Sequence, residues 1–128
     1  MKKIGLILLI LGVIVLGLYI SLVNSSKKSL TDMEYEEVDM SKVADGVYFG
    51  EVDAGLVYVK VSVTIKDNKI INIRILKHKN GLGGKAESIV TEMLQQNSYN
   101  VDAVSGATLS SEAIKSAVSK ALKKGYGN

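Results

Sequence analysis

Val57-Tyr58-Val59-Lys60-Val61-Ser62-Val63-Thr64-Ile65 alternates apolar and other residues without a break. Ile71, Ile73 and Ile75 then resume the pattern with Asn72 and Arg74 between them. A period of two sends successive side chains to opposite faces, so each run reads as a strand with one face buried. Asp67-Asn68 lies between the runs, and Asn tolerates the positive φ of a tight hairpin turn. Upstream, Asp45-Gly46 reads as a turn before a short strand through Val47-Tyr48-Phe49-Gly50-Glu51-Val52. The expected unit is a three-stranded antiparallel meander with one wet face.

Beyond the hairpin the period changes. Ala86, Ile89, Val90, Met93 and Leu94 fall at helical spacing, predicting a helix from about Lys85 to Gln96. Ala113, Ile114, Ala117, Val118, Ala121 and Leu122 form a second stripe, predicting a helix from about Ser111 to Lys124. Glu112 near its start and Lys120, Lys123 and Lys124 near its end suit the helix dipole, and Gly125 ends it. Residues 101–104 could add a short edge strand. The fold class is α+β: a small antiparallel meander packed against two helices, with one core.

This domain, 44–128, is preceded by two different segments. Residues 4–23 carry no charge and are almost wholly apolar. About twenty such residues span about 30 Å of hydrocarbon, so 1–23 reads as a transmembrane anchor. The run is longer than the apolar part of a signal peptide, and Leu22-Val23-Asn24-Ser25-Ser26 makes a poor cleavage site. Lys2 and Lys3 precede it, which puts the N-terminus in the cytoplasm and the domain outside. Residues 24–43, from Asn-Ser-Ser-Lys-Lys-Ser into an acidic stretch, read as a linker, with a solvated helix start as the alternative.

Composition excludes several chemistries. The formal charge is +3, but Lys2 and Lys3 hold two of those units, and Arg74 is the single arginine. No basic stripe exists to track a nucleic acid. With no cysteine and one histidine, thiolate nucleophiles, disulfides, iron–sulfur ligation and histidine-rich metal sites are ruled out. No catalytic residue and no metal site is assigned. Redox chemistry here needs an organic cofactor.

Asp102-Ala103-Val104-Ser105-Gly106-Ala107-Thr108-Leu109-Ser110-Ser111 leads into the second helix stripe. A helix N-terminus offers unpaired N–H groups and partial positive charge, which favour a phosphate. Gly106 and Ala107 allow close backbone approach. The plainer reading is a polar loop with Ser110 or Ser111 as the N-cap. Capping needs one hydroxyl, however, and gives no reason for Gly-Ala-Thr before it or for Asp102 six residues upstream of Thr108.

The stretch resembles the D-x-x-[ST]-G-A-T signature of FMN-binding domains, with Asp102, Ser105, Gly106, Ala107 and Thr108 filling every specified position. The order of strands and helices resembles that family from about Asp45 to Leu122. The resemblance implies that a flavin transferase joins the FMN phosphate to Thr108 through a phosphoester, with Leu109 and Ser110 beside it. It also implies that Gly81, Leu82 and Gly83 lie against the flavin. Family members often carry Glu-Thr-Pro before that Gly-Leu-Gly, where this chain has His78, Lys79 and Asn80. Asp102 would hydrogen-bond the loop or be read by the transferase.

Two other readings of Gly81-Leu82-Gly83-Gly84-Lys85-Ala86 fail. A dinucleotide fingerprint needs a parallel βαβ unit, and the preceding strand belongs to a hairpin. A Walker loop needs Gly at Lys79 and Ser or Thr at Ala86. A glycine-rich turn entering a helix remains beside the flavin-facing loop. His78 is a surface or strand-end residue by position, or a group that tunes a flavin nearby. The function implied is an anchored, extracytoplasmic electron-transfer relay between redox partner proteins, linked to membrane quinones. The alternative is an anchored binding module of the same fold, holding FMN non-covalently or holding no cofactor.

Overall fold

The computed structural model describes residues 2–31, 33–79 and 84–127. Helix α1 (Lys2–Thr31) is followed by strands β1 (Gly46–Asp53), β2 (Tyr58–Lys66) and β3 (Lys69–Lys79). A 3-10 turn (Gly84–Ser88) leads into α2 (Ile89–Gln96), and α3 (Thr108–Lys124) closes the chain. The strands form one antiparallel sheet in the order β1-β2-β3, so the α+β class read from the sequence holds. The stretch Lys2–Leu30 is long and apolar enough to cross a membrane.

The alternating run behaves as its pattern demands. Val59, Val61 and Val63 on β2 are fully buried, and Ile65 nearly so. Asp67 and Asn68 both adopt positive φ, 53° and 61°, the backbone of a two-residue hairpin whose twist matches the strands. The return strand departs from strict alternation. A register shift between Thr64 and Ile65 pairs Ile65 with Ile70, so Ile70 is buried and Ile71, expected inside, is exposed. A bulge inserts one residue and sends its neighbours to the opposite face. Ile73 returns to the core.

Helix α3 covers the inner face of the sheet. Its stripe of Ala113, Ile114, Ala117, Val118, Ala121 and Leu122 has no exposed surface. The approach is close because β1 carries Gly50 there: a Cβ at that position would lie 1.9 Å from the Ala117 carbonyl oxygen. Gly125, read as the stop, caps α3 in a right-handed conformation. What it supplies is space, since a Cβ there would strike Val43 and Tyr48.

The other side of α3 is also buried, which its polar residues conceal. Ser111, Ser116 and Ser119 are fully buried, and Ser110 nearly so. Residues 33–39, expected as part of a spacer, run along this face instead. Ser116 donates to the Glu34 carbonyl, Glu36 N–H donates to Ser119 Oγ at 3.1 Å, and Lys123 Nζ donates to the Glu37 carbonyl at 3.1 Å. Serines permit this because each is small and satisfies a backbone group that a second apolar stripe would strand. Helix α1 also reaches the domain: it extends through residues 24–31, and Ser29 Oγ donates to Ala54 O at 2.7 Å.

Helix α2 is shorter than expected, because residues 84–88 form a 3-10 turn. Asn97 ends α2 with a φ of 50° and fastens it to the sheet. Its Oδ1 accepts the Ile70 N–H at 2.8 Å and its Nδ2 donates to Asn68 O at 3.1 Å. No strand forms at 101–104.

Gly50→Ala is expected to force β1 and α3 apart. Overpacking of this kind costs about 1–3 kcal/mol, or a drop in Tm of the order of 10 °C for a domain this small. Gly127→Ala, where nothing lies within 4 Å, is expected to leave the melting curve unchanged.

Candidate functional site

The chain approaches α3 through a loop whose conformation the sequence dictates. Val101 is buried and fixes its start. Ala107 N–H donates to Val104 O at 3.0 Å, closing a four-residue turn, and Gly106 stands at its third position with a φ of 78°. That is the type II turn, whose third residue must be left-handed, so glycine is the natural occupant. Buried Ser111 holds the turn from below by accepting Val104 N–H at 2.9 Å.

The helix therefore starts earlier than its apolar stripe indicates. Ser111 N–H donates to Ala107 O at 2.9 Å, so Ala107 is the N-cap and Thr108 the first helical residue. Ser110 and Ser111, the capping candidates, lie inside the helix instead. Ala107 makes no side-chain cap, and the first N–H groups of a helix lack intrahelical acceptors. A Ser, Thr, Asp or Asn at the cap would stabilise the helix by about 1 kcal/mol over alanine. Forgoing that contribution leaves the donors and the partial positive charge open to an anion. Thr108 is exposed at this mouth, as are Ser105, Gly106 and Asp102; Leu109 is half-buried.

A second element meets the loop. A Cβ on Gly106 would lie 2.7 Å from Lys85 Nζ and 3.4 Å from its Cε, so the lysine chain rests against this glycine. Lys85 belongs to the 3-10 turn, which fully buried Ala86 pins to the core. Sequence reasoning treated Lys85 as a helix start, and nothing local could have shown that it crosses to residue 106. Gly81, Leu82 and Gly83 lie outside the described residues.

His78 is paired with Val59 near the end of β3. Its side chain is only 3 % exposed, which contradicts a surface strand end. Burial pushes its pKa below the ordinary value, while Glu87, 4.0 Å from Nδ1, acts in the opposite sense. Glu87 shares the 3-10 turn with Lys85, so that turn links His78 to the Gly106 loop.

One cluster near the site escaped the sequence reading. Glu112 lies four residues beyond Thr108, hence on the same face of α3. It accepts a hydrogen bond from Tyr35 and an ion pair from Lys115 at 3.3 Å. Tyr35 stacks on Tyr99 at 6.5 Å, and burial together with the Glu112 carboxylate raises its pKa. The signal was a lone aromatic inside an acidic stretch taken for linker.

A cavity of about 430 Å³ lies elsewhere, between the end of α1 and the domain, lined by residues that include Lys28, Glu34, Asp53 and Lys120. No residue of the loop before α3 borders it. Its mixture of charges gives no reason to prefer it over the α3 terminus for a phosphate. Among the described residues no group of three or more His, Cys, Asp or Glu could hold a metal ion. The residues present fit a phosphate: a glycine cradle, an uncapped helix end and a lysine ammonium.

A stretch of 71 residues, 53 % of the chain, is 37 % identical to an NADH:acrylate oxidoreductase of Vibrio harveyi, of which it spans only 7 %. No solved structure gives a significant match. Residues 55–123 match the profile of the FMN-binding domain, covering the hairpin, both later helices and the loop between them. The chain belongs to the FMN-binding domain family, and its cofactor is FMN.

Proposed function

We propose that this chain is a membrane-anchored flavoprotein that carries FMN on Thr108 through a phosphoester and passes electrons between redox partners on the outer side of the membrane. The observation that carries the reading is the α3 terminus: an exposed threonine hydroxyl beside uncapped N–H donors. Attachment forms the Thr108 Oγ–phosphorus bond on an activated flavin nucleotide. The remaining nucleotide leaves, and the hydroxyl proton passes to a base on the flavin transferase. Bound FMN supplies one- and two-electron chemistry.

The residues of the chain supply attachment, placement and tuning. Gly106 and Ala107 give the phosphate access to the backbone, Leu109 and Ser110 continue the first turn, and Asp102 is a surface carboxylate for the transferase to read. Gly81, Leu82 and Gly83 are assigned to the flavin by the family motif. A covalent link suits an exposed compartment, where a dissociated cofactor is not replaced. It also suits a domain this small, which cannot enclose a whole flavin. Partners of the relay would be membrane quinone-linked proteins or reductases; the oxidoreductase relative supports a redox role and no more.

Topology is open to direct test, because the chain has no cysteine. Lys2 and Lys3 favour a cytoplasmic N-terminus, although Lys27 and Lys28 flank the other end of the apolar run. Gly127→Cys in intact cells is expected to react with a membrane-impermeant maleimide; protection until lysis would place the domain in the cytoplasm.

Co-expressed with a flavin transferase, the protein is expected to give a fluorescent band on a denaturing gel. Thr108→Ala is expected to abolish the band and Thr108→Ser to retain it. A band that persists in Thr108→Ala would move the attachment elsewhere. Fluorescence that is lost on denaturation of the unaltered protein would leave FMN bound non-covalently.

His78 is proposed to meet the flavin as a neutral imidazole near pH 7. Followed by NMR, it is expected to titrate below the ordinary value of about 6.5, and Glu87→Gln is expected to lower it further, since Glu87 favours the protonated form. The unfolded chain then takes up this proton first. Stability from the group is thus complete above about pH 6.5 and is lost as pH falls through the lower folded pKa.

A further inference from the structure

Lys85 and the start of α3 place two positive ends together. The ammonium sits where a methyl on Gly106 would stand, 2.7 Å from that ideal position, and α3 directs its uncapped N–H groups from the neighbouring residues. A helix N-terminus carries roughly half a positive charge, so a cation beside it is repelled unless an anion lies between them. The ion pairs of the described residues join His78 to Glu87 and Lys115 to Glu112, and neither involves Lys85. Glu87, two residues away in the same turn, is directed to His78 instead.

Several features hold this arrangement in place. Ala86 is fully buried next to Lys85, and Ser88 Oγ donates to the Lys85 carbonyl at 3.0 Å, fixing the backbone from which the side chain leaves. On the other side, Gly106 is required by its φ of 78°, and the end of the exposed lysine side chain rests against it. A larger residue at 106 would be strained and would also displace the ammonium. Lysine serves here as a compact point charge with three rotatable donors, able to follow a phosphate oxygen as the linkage forms.

We infer that Lys85 is the positioning cation for the FMN phosphate. It neutralises the phosphate against the α3 terminus, both before the bond to Thr108 forms and in the phosphodiester that results. The inference rests on the proposed site at Thr108. It assigns to the 3-10 turn a part in recognition that is distinct from the threonine itself and separates FMN from riboflavin, which lacks the charge.

The test uses the full chain in lipid nanodiscs, made without a flavin transferase, titrated with FMN and with riboflavin by flavin fluorescence. The unaltered protein is expected to prefer FMN by roughly tenfold, the scale of one charge-assisted contact, and increasingly so at low salt. Lys85→Gln is expected to lower the ratio several-fold, to the remainder that the α3 terminus supplies, with riboflavin binding unchanged, and Lys85→Arg to restore it. Circular dichroism melts identify any variant that has lost its fold, and in that case Lys85→Met replaces it. Absence of a preference in the unaltered protein, or a preference that loss of the charge leaves undiminished, overturns the inference. A second preparation, co-expressed with a flavin transferase, is read by mass. FMN on Thr108 there, with the preference undiminished in Lys85→Gln, would sink this inference alone. A Lys85-dependent preference with no mass on Thr108 in the co-expressed protein would sink the covalent reading alone.

Discussion

Helix α3 is clamped from both sides, and its first turn is left without a cap. On one side β1 comes so near that only hydrogen fits at Gly50 against the Ala117 carbonyl. On the other, the chain at residues 33–39 lies along Ser116 and Ser119 and exchanges backbone hydrogen bonds with them. A helix packed all round cannot shift along its axis without breaking both contacts, because close-packed interiors transmit displacement rather than absorb it. The position of Thr108 is thereby set by the whole domain and not by the loop that precedes it.

The same packing extends to the long apolar helix that precedes the domain. Helix α1 does not stop where its apolar run ends but continues to Thr31, and Ser29 bonds the turn after β1. Residues 33–39 then bring Tyr35 to Glu112 and Tyr99, close to the α3 terminus. This segment thus contributes to the surroundings of the site. The relative from Vibrio harveyi holds a similar stretch within a much longer chain; here the domain comes after a helix long and apolar enough to cross a membrane.

Legibility in the sequence depended on how local the governing physics was. The hairpin was legible because period two and the Asp67-Asn68 turn are properties of neighbouring residues. The bulge that exposes Ile71 was not, since it arises from pairing with another strand. The apolar stripe of α3 was plain, yet the burial of its serine face was not, because small polar residues carry no sign of a backbone that covers them. The start of α3 was placed three residues late, because Ser111 looked like a cap and is in fact spent on Val104. Gly106 was legible as a permissive residue, whereas its contact with Lys85 joins positions twenty-one apart and belongs to tertiary structure alone. His78 looked superficial, and the fold buries its ring.

Chemistry at this site reduces to whether one hydroxyl carries one phosphate. Proteolysis of the protein isolated from its native membranes, with mass measurement of the fragment containing residues 102–111, reads that state directly. The account predicts the mass of FMN, less one water, added to the fragment and localised to Thr108 by fragmentation. An unmodified fragment from membranes that contain an active flavin transferase, or FMN localised to another residue, would contradict it.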